Sequence, residues 1–350
     1  MTRSTGRRST FALLALLCGP SLPQLASAHH SATEYDSRRI VEIAGTLSEV
    51  TWQNPHVLMK VTSVEGGTST VYDIECNPLG TLERAGVNRK SLRVGDTVKV
   101  AGFVSRLSPT RLFGTNLLPS SGTELILALE VTPMWQKGAA ATATSTPAGG
   151  SQAAAPPGLF KVWTSSLTDP DASPFALWRA NPQLTPAAKA SHASWDILRD
   201  SVAHGCDPQG MPTIMTQPLP MQFEDHGDSI LLRIEEYDTV RTIHMTDVPA
   251  PAGKSLLGHS VGKWVGDVLV VNTTNISWPY ISPDGLRLGR SARLQERFMP
   301  TADGRRLRYT LLIDDPDTFT VSPVLSRSWL WQDGVRVRDY ACGRPQESPP

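Results

Sequence analysis

The sequence predicts a mainly β protein built as two modules. Three observations carry this: short β-rich runs punctuated by Gly, Asn, Asp and Pro through most of the chain, little helical periodicity, and a single low-complexity stretch between two ordinary halves. That stretch, "KGAAATATSTPAGGSQAAAPPG" over residues 137–158, has almost nothing to bury and reads as a flexible tether. The expected organisation is a leader over 1–28, a first module over 29–136, the linker over 137–158 and a second module over 159–350.

The leader has the parts of an export signal. Arg3, Arg7 and Arg8 make a basic start, "FALLALL" from Phe11 to Leu17 is a short apolar run, and Ala26-Ser27-Ala28 is the small-x-small pattern at which signal peptidase cuts. The apolar run is too short to span a bilayer. Arg7-Arg8 before Phe11 resembles a twin-arginine signal with the aromatic residue one place late. Cys18 follows the bulky Leu17, which does not suit lipoprotein processing. Cleavage after Ala28 makes His29 the first residue of a periplasmic or secreted product with no membrane span.

Composition narrows the partners. The 33 basic and 33 acidic residues cancel, so no electrostatic footprint argues for nucleic acid. The partner expected is a small molecule. Beyond the leader the cysteines are Cys76, Cys206 and Cys342. Cys206 and Cys342 stand near the two ends of the second half and could clasp it in an oxidising compartment. Cys76, in the apolar "YDIEC", reads as a buried strand thiol, with a ligand or an intermolecular bridge as the alternatives.

In the first module "IVEIAGTLSEVTW", "HVLMKVTSV" and "STVYDIEC" are β-rich, and "PLGTLERAG" carries helix formers and ends on Gly. "LRVGDTVKVAGFVS", "TRLFGTNLLP" and "TELILALEV" follow as further strands. Three strands, a helix and more strands is the order of a small OB-type barrel; a generic sandwich with one helix reads almost the same way. "AHHSATEYD", "GTLSEVTWQNPHVLMKV" and "LERAGVNRKSLRVGDTVKVAGF" resemble a family of exported bacterial proteins of unknown function. Its usual pattern is a mature His-His-Ser start, a strand pair around Asn-Pro-His and a Gly-Asp-x-Val-x-Val-x-Gly strand. Glu75-Cys76 stands where many relatives have Glu-Gly.

A terminal histidine can chelate through its amine, whose pKa is about 8, together with one ring nitrogen. His29 and His30, with His56 from the turn after Asn54-Pro55, are the candidate ligands, and copper is the candidate ion. The likeness to a terminal-histidine brace extends to that one feature, so oxygenase activity does not follow. The alternative is a frayed terminus with His56 as an ordinary turn residue.

In the second module Thr185 is suited to cap a helix and Pro186 to its first turn, with Ala187 to Leu198 favouring the conformation. "CDPQGMPTIMTQPLPMQF" is too rich in Pro and Gly for regular structure. Paired strands then follow, turning at His226-Gly227, Gly266-Asp267, Asp303-Gly304 and Asp333-Gly334, the last leading into a final strand "VRVRDYAC". Eight or nine antiparallel strands suit a closed, lipocalin-like barrel, because closure removes exposed edges. "CDPQGMP", "GHSVGKWVGDVLVVNTTNI", "LQERF" and "DDPDTFTVSP" resemble segments of secreted bacterial β-proteins, a likeness that implies no activity. Val265 and Asn272 stand where an acid and an Asp are usual.

Alternation places Ile230, Leu232, Ile234 and Glu236 on one face, with His244 and Arg241 on the returning strand. Glu236, His244, His259, Arg241 and Glu296 are therefore the candidate catalytic residues for acid-base chemistry in an apolar cavity. For Glu236 and Arg241 a rim ion pair is the plainer reading, and for His259 a turn residue bonded to backbone. The Trp264, Trp278, Trp329 and Trp331 side chains read as core, or as the wall of a ligand site. No nucleophile elbow, phosphate loop, zinc-hydrolase signature or dinucleotide fingerprint occurs. Three functions stand: an exported binding protein for a small apolar ligand, an acid-base lyase, isomerase or hydrolase, and a structural module of the envelope.

Overall fold

The computed structural model describes residues 34–120, 122–136, 154–200 and 206–343. The leader, His29, His30 and most of the Ala/Gly/Pro stretch lie outside them. The described chain is mainly β, with two sheets.

The first sheet comprises β1 (Tyr35–Thr51), β2 (Leu58–Glu65), β3 (Thr68–Glu75), β4 (Thr97–Ser105), β5 (Arg111–Pro119) and the short β6 (Leu125–Ile126), with α1 (Leu79–Arg84) between β3 and β4. β1 serves two neighbours: Ile40 to Thr46 pair with β4, and Thr46 to Thr51 pair with β2 across a register shift between Leu47 and Glu49. Gly45 lies at this handover. A Cβ there would sit 2.3 Å from the Thr62 carbonyl oxygen, so a side chain would push the strands apart. A parallel β3–β5 pairing completes a ring in the order β1-β2-β3-β5-β4. Leu47, Val61, Val100, Leu112 and Leu117 fill it, and α1 adds Leu79 and Leu82 to the same core. Gly86, with φ at 80°, follows the helix end as its sequence suggests. "TELILALEV" is only in small part a strand: beyond Ile126 the chain turns, gathered by Glu124, whose carboxylate accepts from Asn116 Nδ2 and from the Met134, Trp135 and Gln136 amides.

The second sheet has nine strands: β7 (Val162–Trp163), β8 (Met221–Asp225), β9 (Ser229–Ile234), β10 (Thr239–His244), β11 (His259–Val265), β12 (Val268–Thr274), β13 (Arg293–Pro300), β14 (Arg306–Asp314) and β15 (Val324–Leu330). It curls until its two edges meet. Thr164 N donates to Leu330 O at 2.9 Å and Leu330 N to Thr164 O at 2.8 Å, so the sheet is nearly barrel-shaped. Hairpins form at His226-Gly227, Gly266-Asp267 and Asp303-Gly304, as the sequence marks, but not at Asp333-Gly334.

Three expectations are corrected. β10 and β11 pair in parallel, because the long connection over 245–258 carries the chain back before β11 begins. "VRVRDYAC" forms no strand; it crosses to the first sheet, where Tyr340 O accepts from Asn54 Nδ2 at 2.7 Å and Gly343 N donates to Asn54 O at 2.9 Å. The helix from Pro186 ends at Ala193 (α2, Pro186–Ala193), and a separate turn, α3, covers Ile197–Asp200. Thr185 Oγ1 does cap α2, accepting from Ala188 N at 3.2 Å.

Cys206 and Cys342 form a disulfide across a separation of 136 residues. Cys76 is a buried free thiol whose pKa burial pushes well up, as expected of an inert core sulfur. Trp278 and Trp329 are core residues, whereas Trp264 is exposed, edge-on to Phe160.

Candidate functional site

The strand alternation that makes the second sheet a barrel also decides what fills it. Inward positions carry Phe223, Phe298, Tyr309 and Trp329, whose rings contact one another in sequence at 5.0 to 5.2 Å between centroids. The middle of the ring is therefore solid, which corrects the expectation of an open interior.

Arg241 and Glu296 belong to this interior. They stand at inward positions of β10 and β13, and neither side chain is more than 1% exposed. Arg241 Nη1 donates to Glu296 Oε1 at 2.9 Å, and Nη2 donates to Oε2. Arg241 Nε donates to Ser260 Oγ at 3.1 Å, Nη2 to Thr273 Oγ1 at 2.8 Å, and Tyr309 Oη to Glu296 Oε1 at 3.0 Å. One residue from each of the five consecutive strands β10 to β14 meets at this point. Burial opposes the charge on Arg241, but the Glu296 carboxylate outweighs it and holds the guanidinium pKa above its ordinary value. Two candidates from the sequence, Arg241 and Glu296, are thus brought together in a sealed core pair, and Arg241 forms no rim pair with Glu236. Ser260, Thr273 and Tyr309 were legible only as inward positions; their shared partner depends on register. Arg327, also buried, donates to Met215 O at 2.9 Å and Ser165 Oγ at 2.7 Å, and burial lowers its pKa to about 9.

Glu236 does end the inward row of β9, at a turn, Glu236–Asp238, and is buried. Its Oε1 accepts from Tyr340 Oη at 3.1 Å, and Oε2 has no hydrogen-bond partner among the described residues. Burial pushes its pKa up to about 8; the Tyr340 hydroxyl opposes this and the neighbouring Glu235 adds to it. His244 is not beside it. Thr239 pairs with Ile234 and His244 with Ser229, at opposite ends of the hairpin, about 16 Å apart for an extended strand. The expected Glu236–His244 couple is therefore absent. His244 lies instead next to His259, ring centroids 5.2 Å apart, because of the parallel β10–β11 pairing. His259 Nε2 is also 3.0 Å from the Val248 carbonyl.

In the first sheet, His56 Nδ1 is 2.6 Å from Cys76 O, and Nε2 is 3.4 Å from Glu75 Oε1. Glu75 Oε2 accepts from Tyr35 Oη at 2.7 Å. His29 and His30 lie outside the described residues, and among the described residues no group of three or more His, Cys, Asp or Glu side chains is arranged to hold a metal.

Open space lies at one end of the second barrel, where β12 and β14 finish and β13 and β15 begin. A half-open pocket of about 400 Å³ is walled by Leu177, Leu184, Ile281, Leu286, Phe319 and Leu325. The barrel supplies Leu325; the rest comes from segments folded over its end. Leu184 bridges Phe319, and Thr185 bonds Asp317 and Thr318, which anchors one wall. The polar rim is Asn181, His192, Ser282 and Asp284. His192 Nε2 is 3.3 Å from Asp284 Oδ2, and Ser282 Oγ donates to Asp284 Oδ1. None of these residues stood out in the sequence as a site, since most lie on irregular segments and the rest are single positions on α2 and β15.

No helix among the described residues is long and apolar enough to cross a membrane. No curated protein matches this chain. The model of a family described as a family of unknown function, DUF6152, matches residues 18–111, a span that takes in β1–β4 and the first residue of β5.

Proposed function

We propose that this is an exported binding protein that takes a small, largely apolar ligand in the pocket at the end of the second barrel. The observation that carries this is the pocket itself: about 400 Å³, apolar walls, a short polar rim, and a floor shared with the barrel core. Ligand sites of this size and character are a standard use of barrel mouths. The near-closed ring, antiparallel except between β10 and β11, supports a lipocalin-like reading of residues 159–350 as a module. The ring order β1-β2-β3-β5-β4, with a helix after the third strand, supports an OB-type reading of residues 29–136. The basic-apolar leader over 1–28 and the Cys206–Cys342 disulfide support export to the periplasm.

The test is binding of the neutral fluorophore N-phenyl-1-naphthylamine to the whole mature protein. Ala180→Trp, at the exposed rim of the pocket, is expected to weaken that binding at least about tenfold with an unchanged melting curve. Equal binding by both proteins would remove the pocket reading.

A second reading concerns copper, and rests on the surroundings of His56. The Cys76 carbonyl orients its ring by Nδ1, as a backbone carbonyl commonly does for a metal-binding imidazole, and Glu75 stands beside Nε2. Tyr35, six residues after His29, is bonded to that same Glu75, so an extended chain has the reach to bring His29 and His30 there. Protein purified from the periplasm would contain one tightly held copper and start at His29; a His56→Ala variant with full copper content would overturn the reading.

A further inference from the structure

Resting on the pocket reading above, we infer that the ligand is an amphiphile with an amine head, seated with its apolar body against Leu177, Phe319 and Leu325 and its head at Asp284. The argument is one of charge. Of the described residues lining the pocket, Asp284 and His192 alone bear ionisable side chains. A carboxylate and an imidazole together carry a net charge of zero or minus one. Neither state gives an anionic head a surplus positive charge, whereas both leave a carboxylate for an ammonium group.

Two of the cations flanking these segments are occupied elsewhere. Arg179 is paired with Glu130 and donates to Pro170 O, and Arg287 lies over the Tyr280 ring at 5.6 Å. The carboxylate is also held in place by built structure. Gly285 has φ at 87°, and a Cβ there would fall 2.2 Å from the Trp195 indole, so glycine is what lets the loop that carries Asp284 lie against that ring. Ile281 N donates to Leu286 O at 2.7 Å and closes the loop that carries Asp284. Ser282 Oγ bonds one carboxylate oxygen, and the other faces His192. Asn181 and Ser282 add neutral polar atoms at the same rim.

The experiment displaces N-phenyl-1-naphthylamine from the whole mature protein with octylamine and with octanoate, which share a chain and differ in head charge. Octylamine is expected to displace the probe at about tenfold lower concentration, an advantage that Asp284→Asn reduces to about twofold or less. Octanoate equal to or better than octylamine, or a preference that Asp284→Asn leaves intact, would overturn the inference while leaving the pocket in place. Probe binding that Ala180→Trp does not weaken would instead overturn the pocket reading itself, and the head-group assignment with it.

Discussion

Arg241 and Glu296 are locked together at the centre of the second barrel, with Arg241 Nη1 2.9 Å from Glu296 Oε1 and a second bond between Nη2 and Oε2. Their neighbours Ser260, Thr273 and Tyr309 satisfy most of the remaining donors and acceptors. A sealed ion pair of this kind is costly to break and of little net benefit over apolar packing. Glu296→Gln is therefore expected to destabilise the protein by about 3–5 kcal/mol, because it leaves Arg241 charged and buried. Arg241→Met combined with Glu296→Leu should cost far less than either single change. Denaturant unfolding of Glu296→Gln, the two single changes and their combination checks this, and strict additivity of the single changes would contradict it.

Glu236 gives stability a pH dependence of defined sign. Its pKa rises from 4.5 to about 8 on folding, so the folded state holds a proton that the unfolded chain loses above about 4.5. The stabilisation is complete below that value and declines as pH rises through about 8. Glu235, Tyr237 and Tyr340 face the same turn, and burial raises the pKa of each of them as well. Glu236→Gln keeps a neutral side chain of the same shape. Its melting temperature should equal that of the wild type near about pH 3.5 and exceed it near about pH 8; a parallel decline in both proteins would contradict the assignment.

Asn54 ties the first sheet to the C-terminal segment. Its Nδ2 donates to Tyr340 O, its Oδ1 accepts from Leu79 N at 3.1 Å, and its own carbonyl accepts from Gly343 N. Asn54→Ala removes the two side-chain bonds and takes the acceptor from the Leu79 amide, a loss of about 1–3 kcal/mol. Amide hydrogen exchange should then quicken at Leu79 and in residues 338–343 before it quickens in β11–β14. Unchanged protection at Leu79 would show that the contact is dispensable.

The Cys206–Cys342 disulfide closes a loop of 136 residues, and so constrains the unfolded chain over most of the second sheet. Replacing both cysteines by serine should lower stability by about 3–5 kcal/mol, read as a shift of the denaturation midpoint. Reduction of the wild type by dithiothreitol should give a similar shift.

The sequence by itself determined the mainly β character, the turns that pair successive strands, the α2 cap at Thr185 and the inward placing of Glu236 on its row. Each follows from local chemistry: alternation has period two, Gly supplies a positive φ, and a hydroxyl before Pro186 caps a helix. Tertiary structure decided the partners. Arg241 meets Glu296 because three intervening ladders stack in one register, and register is a sum over strands that no single strand encodes. His244 lies by His259 and not by Glu236 because a long connection made β10 and β11 parallel, and connection length constrains but does not name the strand pairing that follows. The pocket was wholly outside the reach of pattern, since its walls are irregular segments brought over the barrel end by packing, and irregular chain has no period to read.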